Sequence, residues 1–337
     1  MPSVKLMEVC GTHTMSIAKN GIKAMLPEGV QLLSGPGCPV CVTPAGTVDG
    51  ILELAMRENV IIATYGDMVR VPGSTPGDNL ARRRALGAKI DIVYSPVDAI
   101  ETAKKNPDKE VVFLGVGFET TAPGTAASVM TAKEQNVKNF SVLSMLKTCE
   151  PAINALRAMP GFEINGFLLP GHVASIIGVK GFEFLDMPGV IAGFKADDIK
   201  LAIGDLLRQI RNGEHRIQND YPRAVSYEGN VLAQEIMARC LVRRTDDWRG
   251  LGIIPDSGLG FAEEYADFDA EKKFTIDKTA LHQTACRCGD VITGRIAPRD
   301  CPLFGKRCVP EDPVGPCMVS SEGACAAEYK YAPVDLD

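Results

Sequence analysis

Eight short apolar runs, separated by stretches of helical periodicity, set the strongest limit on what this 337-residue chain can fold into. They occupy residues 5–9, 30–34, 60–65, 90–94, 111–116, 140–145, 167–169 and 190–194. The runs are near-continuous rather than alternating, which is the pattern of strands buried on both faces of a parallel sheet. Between them, Val48, Ile51, Leu52 and Ala55 recur at helical spacing. Ser95-Pro96-Val97-Asp98 supplies a capping serine, a proline at the first helical position and an acid three residues after the cap. A longer helix runs through Ile199, Ala202, Ile203, Leu206, Leu207 and Ile210 and stops at Asn212-Gly213. Strands alternating with helices mean βα units and parallel sheets.

Eight such units can close into one barrel or divide between two open sheets. Two sheets of four strands are the better expectation, because the charged segment 98–110 can carry the crossover between them. The chain then divides into an α/β domain over 1–97, a similar α/β domain over 98–220, and a smaller C-terminal domain over 221–337. Hydrophobic residues make up 45% of the chain, enough for two or three cores. The βα pattern stops near Tyr221, and Gly, Pro and Cys become dense between 287 and 325, as in loops folded around a metal centre.

A net charge of −6 argues against a nucleic-acid partner. The short basic run Arg82-Arg83-Arg84 reads as a solvated helix face. The first residues lack a secretory pattern and no run is long enough to span a membrane, so a cytoplasmic protein is expected. Eleven cysteines are too few for a disulfide scaffold of this length, and in a reducing compartment metal binding or catalysis is their better default. Six lie in the last fifth of the chain and three, Cys10, Cys38 and Cys41, near its start.

Ligands of open parallel sheets bind beyond the carboxyl ends of the strands, and the chemically unusual residues fall there. After successive strands come Cys10-Gly11-Thr12-His13, Gly35-Pro36-Gly37-Cys38-Pro39-Val40-Cys41, Tyr65-Gly66-Asp67, Gly117-Phe118-Glu119-Thr120-Thr121 and Pro170-Gly171-His172-Val173. Cys38-x-x-Cys41 after a strand and a Gly-Pro-Gly turn suits a thiol–disulfide couple. Thr43-Pro44-Ala45-Gly46 would end any following helix almost at once, which weakens dipole assistance to Cys38; two buried structural cysteines are the plainer alternative. Cys10 and His13, three residues apart, can face one metal, and thiolate with imidazole suits iron. Alone, such a pair is more often core and cap. Glu119 and His172 gain weight from their place beside the thiols. Gly115-Val116-Gly117 lacks the third glycine of a dinucleotide fingerprint, and no phosphate loop occurs, so a nucleotide or phosphorylated substrate is poorly supported. Cys149 and Cys240 read as structural.

Cys288, Cys301, Cys308 and Cys325 are separated by 12, 6 and 16 residues without the Cys-x-x-Cys knuckles of a zinc ribbon. Four thiolates on irregular loops suit a cubane iron–sulfur cluster, with structural zinc as the alternative.

The stretches MEVCGTHT, GPGCPVCVTP, GFETTAP, LPGHV, WRGLGIIPDSG, CPLFGKRC and MVSSEGACAAEY, in this order over almost the whole chain, resemble the HypD hydrogenase-maturation proteins. The resemblance implies two similar α/β domains and a third holding a [4Fe-4S] cluster. It implies a scaffold, rather than a conventional turnover enzyme, on which the Fe(CN)2CO centre of nickel–iron hydrogenases is assembled. The partners it implies are a HypC-type small chaperone, a HypE-type cyanide donor and, indirectly, the hydrogenase large subunit. By the same resemblance Cys10 is a ligand of mononuclear iron, and Cys38 and Cys41 form a redox-active pair near that iron, able to ligate it themselves. Cys288, Cys301, Cys308 and Cys325 hold the cluster, and His13, Glu119, Thr120 and His172 line the iron's surroundings. Family members usually carry a few tens of residues ahead of the MEVCGTH segment, whereas six precede it here, and Cys286 and Cys317 fall outside the family's ligand pattern. The competing expectation is a stand-alone thiol–disulfide oxidoreductase fed by the cluster, downhill by roughly 6 kcal/mol for typical potentials.

Overall fold

The computed structural model describes residues 3–331, and all eight expected strands are there. The first half of the chain runs β1 (Val4–Glu8), α1 (Gly11–Lys19), β2 (Val30–Ser34), α2 (Ala45–Ala55), β3 (Val60–Thr64), α3 (Leu80–Ala85), β4 (Lys89–Ile92) and α4 (Pro96–Lys105). It continues through β5 (Glu110–Gly117), α5 (Ala122–Glu134), β6 (Phe140–Leu146), α6 (Cys149–Arg157), β7 (Gly166–Pro170), α7 (Gly171–Ile177), β8 (Gly189–Ala192), α8 (Ala196–Asn212) and a short β9 (Ile217–Asn219). Ser95 caps α4 with Asp98 completing the capping box, and α8 ends at Gly213 in the left-handed conformation, both as the sequence signals predict.

Two parallel sheets result, with strand orders β2-β1-β7-β8-β9 and β4-β3-β5-β6. Four consecutive strands per sheet were expected, and this is corrected. The first sheet takes β1 and β2 from the start of the chain and β7 to β9 from residues 166–219, while β3 to β6 between them make the second sheet. The exchange between sheets therefore happens twice, through the connections holding α2 and α6, and not once at residue 97. Periodicity marks a strand but carries no record of its neighbour.

The continuous apolar runs follow from burial on both faces. In the first sheet Leu6, Leu168 and Val190 face α1 and α8, while Met7, Phe167 and Leu169 face the other way. In the second, Val111, Phe113 and Val142 face α4 and α5, while Ile62, Val112 and Leu114 face the other way. The two inner faces meet in a single apolar core that also takes in Cys38, Cys41, Cys288, Cys308, Cys317 and Cys325. Because each strand order reverses once, each sheet has a switch point, between β1 and β7 in one and between β3 and β5 in the other.

Residues 221–331 divide their packing between the sheets. α9 (Val231–Cys240) lies on α5, and the antiparallel hairpin of β10 (Leu241–Trp248) and β11 (Gly252–Phe261) packs on α6 and β6. The hairpin escaped the sequence reading because β10, LVRRTDDW, is charged and buries only its two ends, Leu241 and Trp248. After α10 (Ala270–Lys273) come α11 (Cys288–Ile292), in the cysteine-rich loops, and α12 (Ala324–Tyr331), which packs on α1. Among the described residues no helix is long and apolar enough to cross a membrane.

Lys147, just past β6, is 2% exposed. Its Nζ lies 2.9 Å from Asp246 and donates to the Asp247 carbonyl at 2.8 Å. The Trp248 ring sits 5.1 Å below it, and the Trp248 indole N–H donates to Ser257. Together with the Ser144 hydroxyl donating to the Leu259 carbonyl and Arg244 donating to the Ser144 carbonyl, this ties hairpin to sheet. Lys147→Ala leaves Asp246 partly buried without its cation, so it should destabilise the fold by about 3 kcal/mol in chemical denaturation and speed proteolysis within β10 and β11. A change within the scatter of surface substitutions would show that the ion pair does not hold the hairpin.

Candidate functional site

The carboxyl ends of both sheets converge on one cavity of about 330 Å³. Its walls include residues from both switch points: Val9 and Cys10 after β1, Pro170 and His172 after β7, Tyr65 to Asp67 after β3, and Gly117 to Thr121 after β5, excepting Glu119.

Cys10 ends the first strand and caps α1 from an extended backbone, with φ −151° and ψ 121°. Gly37 packs flat against it: a Cβ there would stand 2.1 Å from the Cys10 nitrogen, and the Gly11 N–H donates to the Gly37 carbonyl at 3.1 Å. That close approach is why the turn before Cys38 needs glycine at this position. The Glu8 carboxyl accepts the Cys10 N–H at 2.9 Å and the Thr14 hydroxyl at 2.6 Å. Burial raises Glu8 to about 7 and pushes the Cys10 thiol up to about 12, although the His13 and Thr12 amides pull the thiol down. Cys10 is therefore a thiol in the free protein, and a bound cation is what would make it a thiolate.

Cys38 and Cys41 lie in a turn beneath the cavity floor, which Gly37, Pro39 and Val40 form above them. Their sulfurs are 2.6 Å apart in a pair of free cysteines, so a small movement closes or opens a bond. No helix follows directly. Thr43-Pro44-Ala45-Gly46 was expected to end a helix and instead begins one: α2 starts at Ala45 after Pro44, so Cys38 still has no helix N-terminus directly behind it. Cys38 Sγ reaches Ser320 Oγ at 3.5 Å, and that hydroxyl is 3.3 Å from Asp67, on the cavity wall.

Behind the pair a chain of thiols continues. Burial, then the neighbouring Cys317 and Cys38, push the Cys41 thiol well above its ordinary value. Cys317 Sγ in turn lies 2.9 Å from Cys288 Sγ and close to Cys325. Cys286, Cys288, Cys301, Cys308, Cys317 and Cys325 all line one small void, closed by Val291, Leu303, Phe304 and Met318. Among the described residues no three Cys, His, Asp or Glu side chains converge on a single point as around one metal ion. The thiols are spread around a volume. Six thiols around one void, on irregular loops inside an apolar wall, supply the four thiolates that an iron–sulfur cluster or a structural zinc requires.

Thr120 and His172 line the main cavity as expected. His13 and Glu119 lie beside it but turn away. The His13 ring is wholly buried, donates from Nε2 to the Gly193 carbonyl at 3.0 Å and stacks on Phe194, whose other face stacks on His172 at 3.8 Å. Glu119 accepts the Cys149 N–H at 2.8 Å and so caps α6. Two residues from the far end of the chain were missed. Ser320 and Glu322 both line the cavity, and the Thr12 hydroxyl donates to Glu322 at 2.5 Å. Both stand in MVSSEGACAAEY, but nothing in that segment's spacing points to residue 12.

Burial lowers His13 to about 4, so the fold holds it neutral. Its stabilising contribution is present above the unfolded value near 6.5 and is lost as pH falls towards 4. Glu8, raised to about 7, has the opposite slope in an overlapping window and partly masks this in the wild type. His13→Gln keeps an N–H donor for Gly193 and does not titrate. Between pH 7 and 5 it should lose about 2 kcal/mol less stability than the wild type in urea unfolding; parallel profiles would show that His13 does not contribute to acid sensitivity.

The family model HypD, described as the hydrogenase formation hypA family, matches residues 1–332. The chain is 44% identical to hydrogenase maturation factor HypD2 of Bradyrhizobium diazoefficiens, over 97% of this chain and 89% of that one. It is 43% identical to hydrogenase maturation factor HypD of Azotobacter vinelandii and 42% identical to that of Escherichia coli, with the same coverage. The chain belongs to the HypD family of hydrogenase-formation proteins.

Proposed function

We propose that this protein matures nickel–iron hydrogenases by holding a mononuclear iron on Cys10 while the Fe(CN)2CO centre is assembled. The observation that carries the reading is a single cavity, walled by both switch points, with a buried thiol on its surface and a continuous chain of thiols behind it. The iron is substrate here. Iron bearing strong-field carbon ligands is soft and is best kept by thiolate, and a cavity of about 330 Å³ admits it with its diatomic ligands. Thr120 places a hydroxyl donor on the same wall, which suits the acceptor nitrogen of bound cyanide.

A HypC-type small chaperone would complete the iron's coordination with its own thiolate, a HypE-type protein would deliver cyanide, and the hydrogenase large subunit would receive the finished centre. The chemistry suits the reducing cytoplasm. Cys38 and Cys41 cycle between dithiol and disulfide beneath the iron. When bound, a [4Fe-4S] cluster on Cys288, Cys301, Cys308 and Cys325 supplies single electrons at low potential. Cys317 is placed between those cysteines and Cys41, and its role is contact between the two groups rather than ligation. The thiol chain would also serve a stand-alone thiol–disulfide oxidoreductase, but such an enzyme has no use for Cys10.

The protein co-purified with its small partner should show cyanide and carbonyl stretches in the infrared. Cys10→Ser should abolish them while iron and sulfide content is kept; bands persisting unshifted would move the iron to Cys38 or Cys41 and overturn the assignment. Anaerobic protein should carry about four iron and four sulfide per chain. Replacing Cys288, Cys301, Cys308 or Cys325 by Ala should remove them, whereas Cys286→Ala and Cys317→Ala should not. Loss of the chromophore in either of the last two would redraw the ligand set.

A further inference from the structure

Cys149 reads from sequence as a small core residue, yet it lines the same cavity as Cys10. It is the first residue of α6, after β6 of the second sheet, whereas Cys10 follows β1 of the first. The two thiols thus approach the cavity from different sheets, near enough that a thiolate on one would raise the other.

The second observation concerns Glu119. Its residue is 5% exposed, and its Oε1 is fixed by the Cys149 N–H, but Oε2 is buried with no hydrogen-bond partner. The same carboxyl lies against the Cys149 thiol. The Cys149 thiol is therefore the group placed to give that buried carboxyl a proton.

We propose that Cys149 and Cys10 together form a two-thiolate site for a soft divalent cation, with Glu119 taking the proton of Cys149. On binding, the S–H bonds of both cysteines break and each sulfur keeps its electron pair and donates it to the cation; the Cys149 proton passes to Glu119, and the Cys10 proton leaves to solvent through the open cavity. The position of Cys149 at the N-terminus of a nine-residue helix favours the thiolate. Glu119 also faces a second pocket of about 320 Å³, where Arg243 pairs with Glu150, and this gives the proton a way out that does not cross the main cavity. Two protein thiolates leave the remaining coordination positions open, as an iron that arrives with, or acquires, its own small ligands requires. The inference rests on the reading of Cys10 as the iron ligand and extends it to a second ligand from the same chain.

The test uses the full chain with its cluster, in a Cys38→Ser/Cys41→Ser background that removes the neighbouring dithiol, and Cd2+ as the probe. Cadmium–thiolate absorption should titrate in the parent, and Cys149→Ser should weaken the binding about tenfold or more with loss of part of the band. Glu119→Gln should weaken it less. A short bis-methanethiosulfonate cross-linker should join the peptides carrying Cys10 and Cys149, and Cd2+ should block the link. Unchanged cadmium binding in Cys149→Ser, while Cys10→Ser abolishes it, sinks this inference and leaves Cys10 as a ligand. Unchanged binding in both removes the reading of Cys10 as well. Absence of the cross-link in correctly folded protein, judged by its cluster absorption and circular dichroism, also overturns the two-thiol site.

Discussion

A parallel sheet has a polarity that an antiparallel one lacks: all its strands end at the same edge, and their loops must gather there. In this protein two such sheets share one apolar core, and their carboxyl edges open on the same cavity. Everything chemically distinctive depends on that alignment. Cys10, Thr120 and His172 come from three separate strand ends and are brought together only because both switch points face inward.

The shared core also sets the character of the thiols. Cys10, Cys41 and Cys149 are buried, and desolvation is the largest influence holding each in the neutral thiol form. Such sulfurs are poor nucleophiles towards passing electrophiles but ready ligands for a cation that supplies the missing positive charge. The same burial protects a dithiol from casual oxidation, while the contacts from Cys38 through Cys41 and Cys317 to Cys288 leave a path of neighbouring sulfurs inside the protein.

Some elements were legible because their signals are local. All eight strand runs were found, since burial on both faces leaves an unbroken apolar stretch such as Val111–Val116 within β5. Ser95 and Gly213 marked their helix ends through backbone geometry that needs no distant partner. The hairpin of β10 and β11 was not legible, because it rests on partners such as Lys147 and Ser144 while the middle of β10 is charged and stays outside the core. His13 and Glu119 were correctly placed at strand ends, but their side chains turn to Gly193 and Cys149, residues 180 and 30 positions away.

The amino-acid sequence by itself determined the class of fold, the strand ends at which chemistry is possible and the residue types available there, because hydrophobic period, capping and Cys-x-x-Cys spacing are properties of neighbours along the chain. Only the tertiary structure decided that β1 pairs with β7 across an intervening sheet and that Ser320 and Glu322 close a cavity opened by Cys10. It alone set Cys149 beside the buried Glu119 carboxyl, facing the same cavity as Cys10. Those are contacts between residues far apart in sequence. They are chosen by how two sheets bury their inner faces together, a constraint on the whole chain that no single segment records.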